Sequence, residues 1–111
     1  MSRKRRYSLV LGSSSPHRAR ILSNLAVNFI QMPPNFSENV LPKEGPESTV
    51  LRLAQGKALS LDVKQKQYVI IASDQVAHQG NRIFNKPENH ENALKQLKQF
   101  QDEWVSFTTS L

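Results

Sequence analysis

Short apolar runs alternate with stretches of helical apolar spacing along this chain. The run "YSLVLG" over Tyr7–Gly12 predicts a first strand, and "VNFIQM" over Val27–Met32 alternates like a second. "QYVIIASD" over Gln67–Asp74 is a continuous apolar run, which predicts a buried strand. "QVAHQGNRIF" predicts a hairpin that turns near Gly80 and Asn81, and "WVSFTTSL" predicts a final strand.

Three helices are predicted between these strands. The first begins at Pro16 with Ser15 as its N-cap, because proline suits the first helical turn and a serine oxygen accepts an N–H that has no helical partner. The second follows Pro46, and the third covers about Asn89–Gln101. The resulting order, β-α-β-α-β-β-α-β, predicts one α/β domain over residues 1–111 with a mixed sheet and flanking helices.

Composition excludes several classes of protein. With 111 residues, 38% of them hydrophobic, the chain can form one domain with a modest core. It has no cysteine, which excludes disulfides, a thiolate nucleophile and a cysteine metal site. No apolar run approaches the roughly 20 residues that span a bilayer, so no membrane partner is expected. The N-terminus begins like a signal peptide, but its apolar part is too short, and we expect a cytoplasmic protein.

The charge balance is basic. Lys and Arg total 15 against 9 Asp and Glu, a net charge of +6, which favours polyanions or anionic substrates. Much of the excess lies in "RKRR", Arg3–Arg6, which fits either a nucleic-acid patch or a solvated leader. We favour the leader, because no interleaved aromatic residues or second basic cluster support a nucleic-acid surface. Nucleic acid is therefore not the expected partner.

The loop "SSSPHRAR", over Ser13–Arg20, joins the first strand to the first helix. A helix N-terminus carries unpaired N–H groups and a partial positive charge. The Ser13 hydroxyl and the Arg18 guanidinium would add donors that match phosphate oxygens. The same residues also fit an ordinary serine N-cap with exposed arginines, and spacing alone leaves both interpretations open.

Further candidate residues carry charge. Asp74 ends a predicted strand, where ligands gather in open α/β sheets, and its carboxylate could bind a divalent ion or accept a proton from water. An aspartate there also commonly begins a turn. Lys57 and Lys86 could neutralise phosphate, and Glu38 could bind a metal, but each type is ordinary on surfaces. The three histidines lack zinc spacing, and the chain has no P-loop.

Five stretches occur in a fixed order: "LVLGSSSPHRARIL", "FSENV", "LRLAQGKAL", "VIIASDQV" and "GNRIFNKP". Together they resemble the Maf family of nucleotide pyrophosphatases. Its members carry a Ser-x-Ser-Pro-x-Arg loop after the first strand, a glutamate in the next loop, an Ala-x-x-Lys-Ala helix, a strand ending in aspartate and a Gly-Lys-Pro loop. The resemblance covers nearly the whole chain and implies a fold like that of Maf and inosine-triphosphatase proteins.

The resemblance implies hydrolysis of a nucleoside triphosphate between its α and β phosphates, giving a monophosphate and pyrophosphate with Mg²⁺ or Mn²⁺ as cofactor. By position, it assigns phosphate binding to Ser13, Arg18, Lys57 and Lys86, and metal binding to Glu38 and Asp74. Asp74 would also be the catalytic proton acceptor. This division is chemically coherent, since cations stabilise the leaving pyrophosphate while a carboxylate prepares the attacking water.

Two positions bear on the substrate. Gln75 after Asp74 resembles the branch of the family that acts on 7-methyl-GTP, whereas the branch acting on dTTP and UTP usually has threonine there. After Pro16 the first branch typically has tryptophan and the second arginine; this chain has His17, a smaller platform for a base. We therefore expect Gln75 and His17 to set specificity, with 7-methyl-GTP preferred and dTTP or UTP as the alternative.

The chain also departs from the family pattern. Asn85 replaces the glycine before Lys-Pro, and Ser110 replaces the glycine of a Thr-Gly pair. Family members continue well beyond the position of Leu111, so the resemblance implies a C-terminally incomplete domain with weakened turnover, an exposed last strand and possible homo-oligomers. A non-catalytic remnant that binds nucleotides or a protein partner is the alternative class, and nucleic-acid binding comes third.

Overall fold

The fold is given by a computed structural model that describes residues 6–111. The helices are α1 (Pro16–Ser23), α2 (Pro46–Leu59) and α3 (His90–Phe100). The strands are β1 (Ser8–Gly12), β2 (Ile30–Met32), β3 (Tyr68–Ile71), β4 (Asp74–Gln79), β5 (Arg82–Phe84) and β6 (Ser106–Ser110). The interpretation of "RKRR" as a leader concerns residues 3–5, which lie outside this description, and Arg6. No helix within the described range is long and apolar enough to cross a membrane.

The strands form two three-stranded sheets. In the parallel sheet β1 lies between β2 and β3, with Val10 opposite Ile30 on one side and Ile70 on the other. In the antiparallel sheet β4 lies between β5 and β6. The predicted α/β class is confirmed, and its parallel and antiparallel pairings are divided between the two sheets.

The predicted strand over residues 67–74 differs from the structure in two ways. The backbone leaves the parallel sheet after Ile71 and enters the antiparallel sheet at Asp74, so Asp74 begins the first strand of the hairpin and does not end the preceding strand. The predicted burial is wrong for Tyr68 and Val69, which are about half exposed. The reason is that β3 is an edge strand, with a neighbour on one side only. Burial is confined to Ala72 and Asp74, where the chain crosses between sheets.

The core is centred on β1 and α2. Helix α2 contacts both β4 and β6, so it covers one face of the antiparallel sheet. The buried apolar side chains are Val10, Leu11, Leu22, Val50, Leu53, Ala54 and Ala72. Three of these belong to α2, which therefore links the core to the strand that begins at Asp74.

Local hydrogen bonds fix the helix that precedes the site and the loop that leads into α2. Ser15 caps α1 as predicted, since its Oγ accepts the Arg18 N–H at 3.2 Å. Before α2, Glu44 accepts Thr49 Oγ1 at 2.9 Å and Arg52 Nε at 2.8 Å. Arg52 Nη2 also donates to the Asn39 carbonyl at 2.8 Å. The segment that carries Glu38 is therefore tied to α2 on its C-terminal side.

Candidate active site

The loop between β1 and α1 is held by hydrogen bonds of its own. Ser13 is buried, and its Oγ accepts the Ser15 N–H at 3.0 Å. Gln31 on β2 donates through Nε2 to the carbonyls of Ser13 at 2.9 Å and Ser15 at 3.3 Å. The loop conformation is thus set by the protein itself, and Gln31 is a supporting residue that the sequence analysis did not identify.

Two cations from different helices meet at one carbonyl group. Arg18 on α1 donates through Nη1 to the Ser73 carbonyl at 3.0 Å, and Lys57 on α2 lies 3.4 Å from the same oxygen. Ser73 lies in the segment that crosses between the sheets. The crossing is therefore fixed from both helices, which places Asp74, the next residue, beside Lys57.

Lys57 is the centre of the charged cluster. Its side chain is only 3% exposed, and its Nζ lies 2.8 Å from Asp74 Oδ1 and 2.7 Å from Glu38 Oε1. A buried ammonium group is costly unless it is paired, and two carboxylates at charge-assisted hydrogen-bond distance supply that pairing. Lys57 thus holds together the two carboxylates that the family resemblance assigns to metal and water.

Glu38 lies between a buried and an exposed lysine. The hydrogen bond from Lys57 holds the pKa of the Glu38 carboxyl below its ordinary value, against the opposing effect of partial burial. Lys86, whose side chain is exposed, contributes in the same direction from 3.7 Å. Glu38 is therefore ionised at neutral pH and available to a cation.

Asp74 is buried at the first position of β4. Lys57 binds its Oδ1, and its backbone N–H donates to Ser110 Oγ at 3.1 Å. Within residues 6–111, Oδ2 accepts no hydrogen bond from the protein. Every fully inaccessible side-chain oxygen in this range has a hydrogen-bond partner, so Oδ2, which has none, keeps some accessible surface. Oδ2 is therefore the oxygen that can reach a water molecule or a metal ion.

Two pockets adjoin at this cluster. A pocket of about 470 Å³ is lined by the serine loop and by Arg18, Glu38, Lys57, Gln75 and Lys86. Asp74 lines a second pocket of about 310 Å³, which shares Glu38, Gln75 and Lys86 with the first. The structure thus places all the predicted site residues in the lining of two neighbouring pockets.

A third, more apolar pocket lies beside the polar ones. Its volume is about 460 Å³, and its lining includes Ile21, Leu22 and Leu25 from α1 and the segment that follows it. His17 and Gln75 line this pocket and the polar pocket alike. The two residues expected to set specificity therefore lie where a polar and an apolar pocket meet.

Gly56 shapes the site from inside α2. A Cβ at this position would overlap the ring of Phe36, two residues before Glu38. The glycine therefore lets Phe36 pack against the helix and brings Glu38 towards Lys57, one residue after Gly56. Glycine in a helix interior normally costs about 1 kcal/mol relative to alanine, so the glycine in "AQGKAL" is itself a sequence signal of a close contact at this position.

The donor set fits a divalent ion in one way only. Glu38 and Asp74 are close together, because both form an ion pair with Lys57 Nζ. The described residues contain no group of three His, Asp or Glu side chains that could hold a metal. Mg²⁺ commonly binds through one or two carboxylates together with water and substrate phosphates. The residues therefore fit an ion that is shared with a phosphate ligand, and do not fit an ion that is held by the protein alone.

Together, these features define an α/β domain in which the serine- and arginine-containing loop of residues 13–18 lies beside two carboxylates that are bridged by a lysine. The family model described as "Maf-like protein" matches residues 8–111, and the chain belongs to this family. The match covers both sheets and every candidate site residue.

Three relatives show the similarity in detail. A protein of Nitrosococcus oceani is 44% identical over 104 residues, which are 94% of this chain and 52% of that protein. Proteins of Alcanivorax borkumensis and Vibrio vulnificus are 40% and 41% identical over 94% and 95% of this chain, and over 53% and 54% of their own length. Each is named "7-methyl-GTP pyrophosphatase". The chain thus spans about half the length of the curated relatives that it matches.

Proposed function

We propose that this chain is a nucleoside triphosphate pyrophosphatase that converts 7-methyl-GTP into the monophosphate and pyrophosphate. The observation that carries the proposal is the buried Lys57, which holds Asp74 and Glu38 beside the Ser13–Arg18 loop. The names of the three relatives support both the reaction and the substrate. A cytoplasmic location, where nucleoside triphosphates are used, is part of the same proposal.

The triphosphate would lie in the pocket of the serine loop. Within the described residues the Ser13 hydroxyl acts only as an acceptor, so its proton is available to a phosphate oxygen. Arg18 uses Nη1 to bind the Ser73 carbonyl and keeps its other N–H groups for phosphate. Lys86 is exposed and can approach the ligand from the solvent side. These cations would offset the charge of the phosphates as they enter.

Asp74 would act as the base. Water attacks phosphorus, the anhydride bond between the α and β phosphates breaks, and pyrophosphate leaves with the bonding electron pair, while Asp74 Oδ2 accepts the proton of the water. Lys57 keeps the other oxygen of this carboxylate in place. Mg²⁺ or Mn²⁺, held by Glu38 and Asp74 together with the phosphates, would supply further stabilisation of the leaving group.

The base would lie against the apolar pocket. His17 can stack on a purine, and the Gln75 amide can form hydrogen bonds with the purine edge. Gln75 already donates through Nε2 to Thr109 Oγ1 at 2.8 Å, which orients the amide. We therefore expect Gln75→Thr to reduce the preference for 7-methyl-GTP over dTTP and UTP by about tenfold, the effect of losing one such contact.

The test is pyrophosphate release from 7-methyl-GTP, GTP, dTTP and UTP by the 111-residue chain, with Mg²⁺, with Mn²⁺ and with a chelator. We expect the fastest release from 7-methyl-GTP, and none with the chelator. Faster release from dTTP would reject the substrate and leave the reaction class standing. If the folded chain binds nucleotide in calorimetry but releases no pyrophosphate, it is a binding protein and the enzymatic proposal is wrong.

A further inference from the structure

Ser110 carries a buried hydroxyl that connects two other elements. It lies opposite Asp74 in the antiparallel pair of β4 and β6. Its Oγ accepts the Asp74 N–H at 3.1 Å and donates to the Val50 carbonyl of α2 at 2.7 Å. The Asp74 carbonyl lies 3.3 Å away, but a hydroxyl has one proton, and the shorter contact takes it. One side chain thus joins the Asp74 backbone to α2.

Ser110 contacts α2 on the side of the helix that carries Lys57. Val50 and Lys57 are separated by about two helical turns, so they lie on the same side of α2. Lys57 binds the Asp74 carboxylate, while Ser110 binds the Asp74 backbone. Asp74 is therefore attached to one side of α2 at two points, once through its carboxylate and once through its main chain.

Ser73 completes the arrangement. Its Oγ donates to the Ser110 carbonyl at 2.7 Å, while its own carbonyl accepts Arg18 Nη1 at 3.0 Å. The last residue of β6 is thereby connected to the crossing between the sheets and, through it, to α1. Ser110 therefore accepts two hydrogen bonds from the segment 73–74: its hydroxyl accepts the Asp74 N–H, and its carbonyl accepts the Ser73 hydroxyl.

We propose that Ser110 is a positioning residue, whose hydroxyl holds the Asp74 carboxylate at Lys57 in the geometry that proton transfer requires. This inference rests on the proposed pyrophosphatase activity. The family pattern has glycine at this position, so the hydroxyl is particular to this chain; without it, the Asp74 N–H would lose this hydrogen bond inside the protein, where an unpaired group is costly. The backbone would move to regain a partner, and a displacement of about 1 Å at a reacting group can cost around 10²-fold in rate.

The matched test compares Ser110→Thr with Ser110→Val. These side chains have nearly the same volume, both suit a strand, and they differ in the presence of the hydroxyl. We expect kcat of the valine variant to lie about 10- to 100-fold below that of the threonine variant, with KM changed by less than about threefold. Equal kcat values would overturn the inference. If the valine variant does not fold, Ser110→Ala takes its place in the comparison.

The control is Thr108→Val, on the same face of β6. Thr108 Oγ1 lies 2.7 Å from His78 Nε2, so the control also removes one partly buried side-chain contact, but away from Asp74. Its kcat should stay near that of the unaltered chain. A loss as large as that of Ser110→Val would mean that any disturbance of β6 slows turnover, and would contradict a specific role for Ser110.

A second readout separates this inference from the proposed activity. The hydrogen exchange of the Asp74 backbone amide can be followed by NMR without any substrate. We expect it to be at least about tenfold faster in Ser110→Val than in Ser110→Thr, which corresponds to one lost hydrogen bond, while the Ala77 amide stays unchanged. Absence of turnover in every chain would reject the pyrophosphatase alone. Equal Asp74 exchange in the two variants would reject the positioning role of Ser110.

Discussion

The two sheets differ in how well their side chains are covered. In the parallel sheet the central strand β1 is tightly buried, with Val10 fully inaccessible. In the antiparallel sheet β6 is buried only at its end: Ser110 lies under α2, whereas Phe107 is 63% exposed and Trp104, before the strand, is 95% exposed. Helix α3 has no buried residue at all. The charged cluster therefore lies at the junction where α2 covers both the core and the end of β6.

This difference indicates where the molecule tolerates change. Helix α2 contributes buried side chains on its inner face and also carries Lys57, so packing and chemistry depend on the same helix. Helix α3 is held by the edge-to-face contact of Phe100 with Phe84, whose ring centroids lie 4.8 Å apart, and by the hydrogen bond that Gln96 Nε2 donates to the Asn85 carbonyl at 2.7 Å. Changes around α2 should consequently affect both stability and turnover, and changes at the exposed residues of α3 should affect stability much less.

The largest effect is expected at Asp74, where the chain enters the antiparallel sheet beside α2. Asp74→Asn keeps the shape of the side chain but removes the base, so kcat should fall by about 10²–10⁴-fold, measured as pyrophosphate release. The control is Asp62→Asn, whose exposed carboxylate pairs with Lys64 alone among residues 6–111. If kcat of the Asp74 variant equals that of the control, Asp74 is not the base.

The next effect compares how much α2 and α3 contribute to the stability of the fold. Leu53→Ala removes a side chain from the core and should lower the free energy of unfolding by about 2–5 kcal/mol. Leu97→Ala removes the same group from α3, where the side chain is 64% exposed, and should cost less than about 1 kcal/mol. Urea denaturation measures both. Equal losses would show that α3 is packed as firmly as α2.

A smaller effect concerns the exposed part of β6. Because Trp104 and Phe107 expose apolar surface beside an edge strand, we expect light scattering to rise with protein concentration. The double variant Trp104→Ser and Phe107→Thr should need a protein concentration at least about tenfold higher to reach the same light scattering. The reason is that each aromatic side chain buried on association contributes about 1.5–3 kcal/mol. The control is Leu59→Ser, at the exposed end of α2. A chain that stays monomeric at every concentration contradicts this expectation.

The smallest effect is a pH dependence in the charged cluster. The pKa of Glu38 is lowered by Lys57, so its stabilising contribution is fully present above the ordinary value of 4.5 and is lost as the pH falls through the lower folded value. Since Glu38 is half exposed, the contribution should be less than about 1 kcal/mol.

The measurement is the difference in unfolding free energy between the unaltered chain and Glu38→Gln, at pH 7 and below pH 4.5. We expect the difference to shrink at the lower pH. Arg52 also lowers the pKa of Glu44, but Glu44 is present in both chains, so its titration cancels in the comparison. A difference that does not change with pH would show that the Glu38 carboxylate adds nothing to stability.

The sequence by itself determined the local elements of this protein. The N-cap at Ser15, the three helices and the strand β1 follow from capping residues and apolar spacing within a few positions, because such signals act between neighbours along the chain. The loop of Ser13–Arg18 could be selected in the same way, since its hydroxyl and guanidinium groups stand together in the sequence.

Only the tertiary structure decided how the distant groups combine. The apolar run 67–74 does not show that the backbone changes sheets at Ser73, because strand preference depends on the neighbouring strands, which the local sequence does not specify. The family resemblance assigned Lys57 to phosphate, and that assignment stays a prediction; the sequence did not show that its Nζ also pairs with Asp74 and Glu38. Ser110 carried no signal for contact with Asp74. Pairings between residues so far apart depend on how α2 packs across β4 and β6, and that packing is a property of the folded chain as a whole.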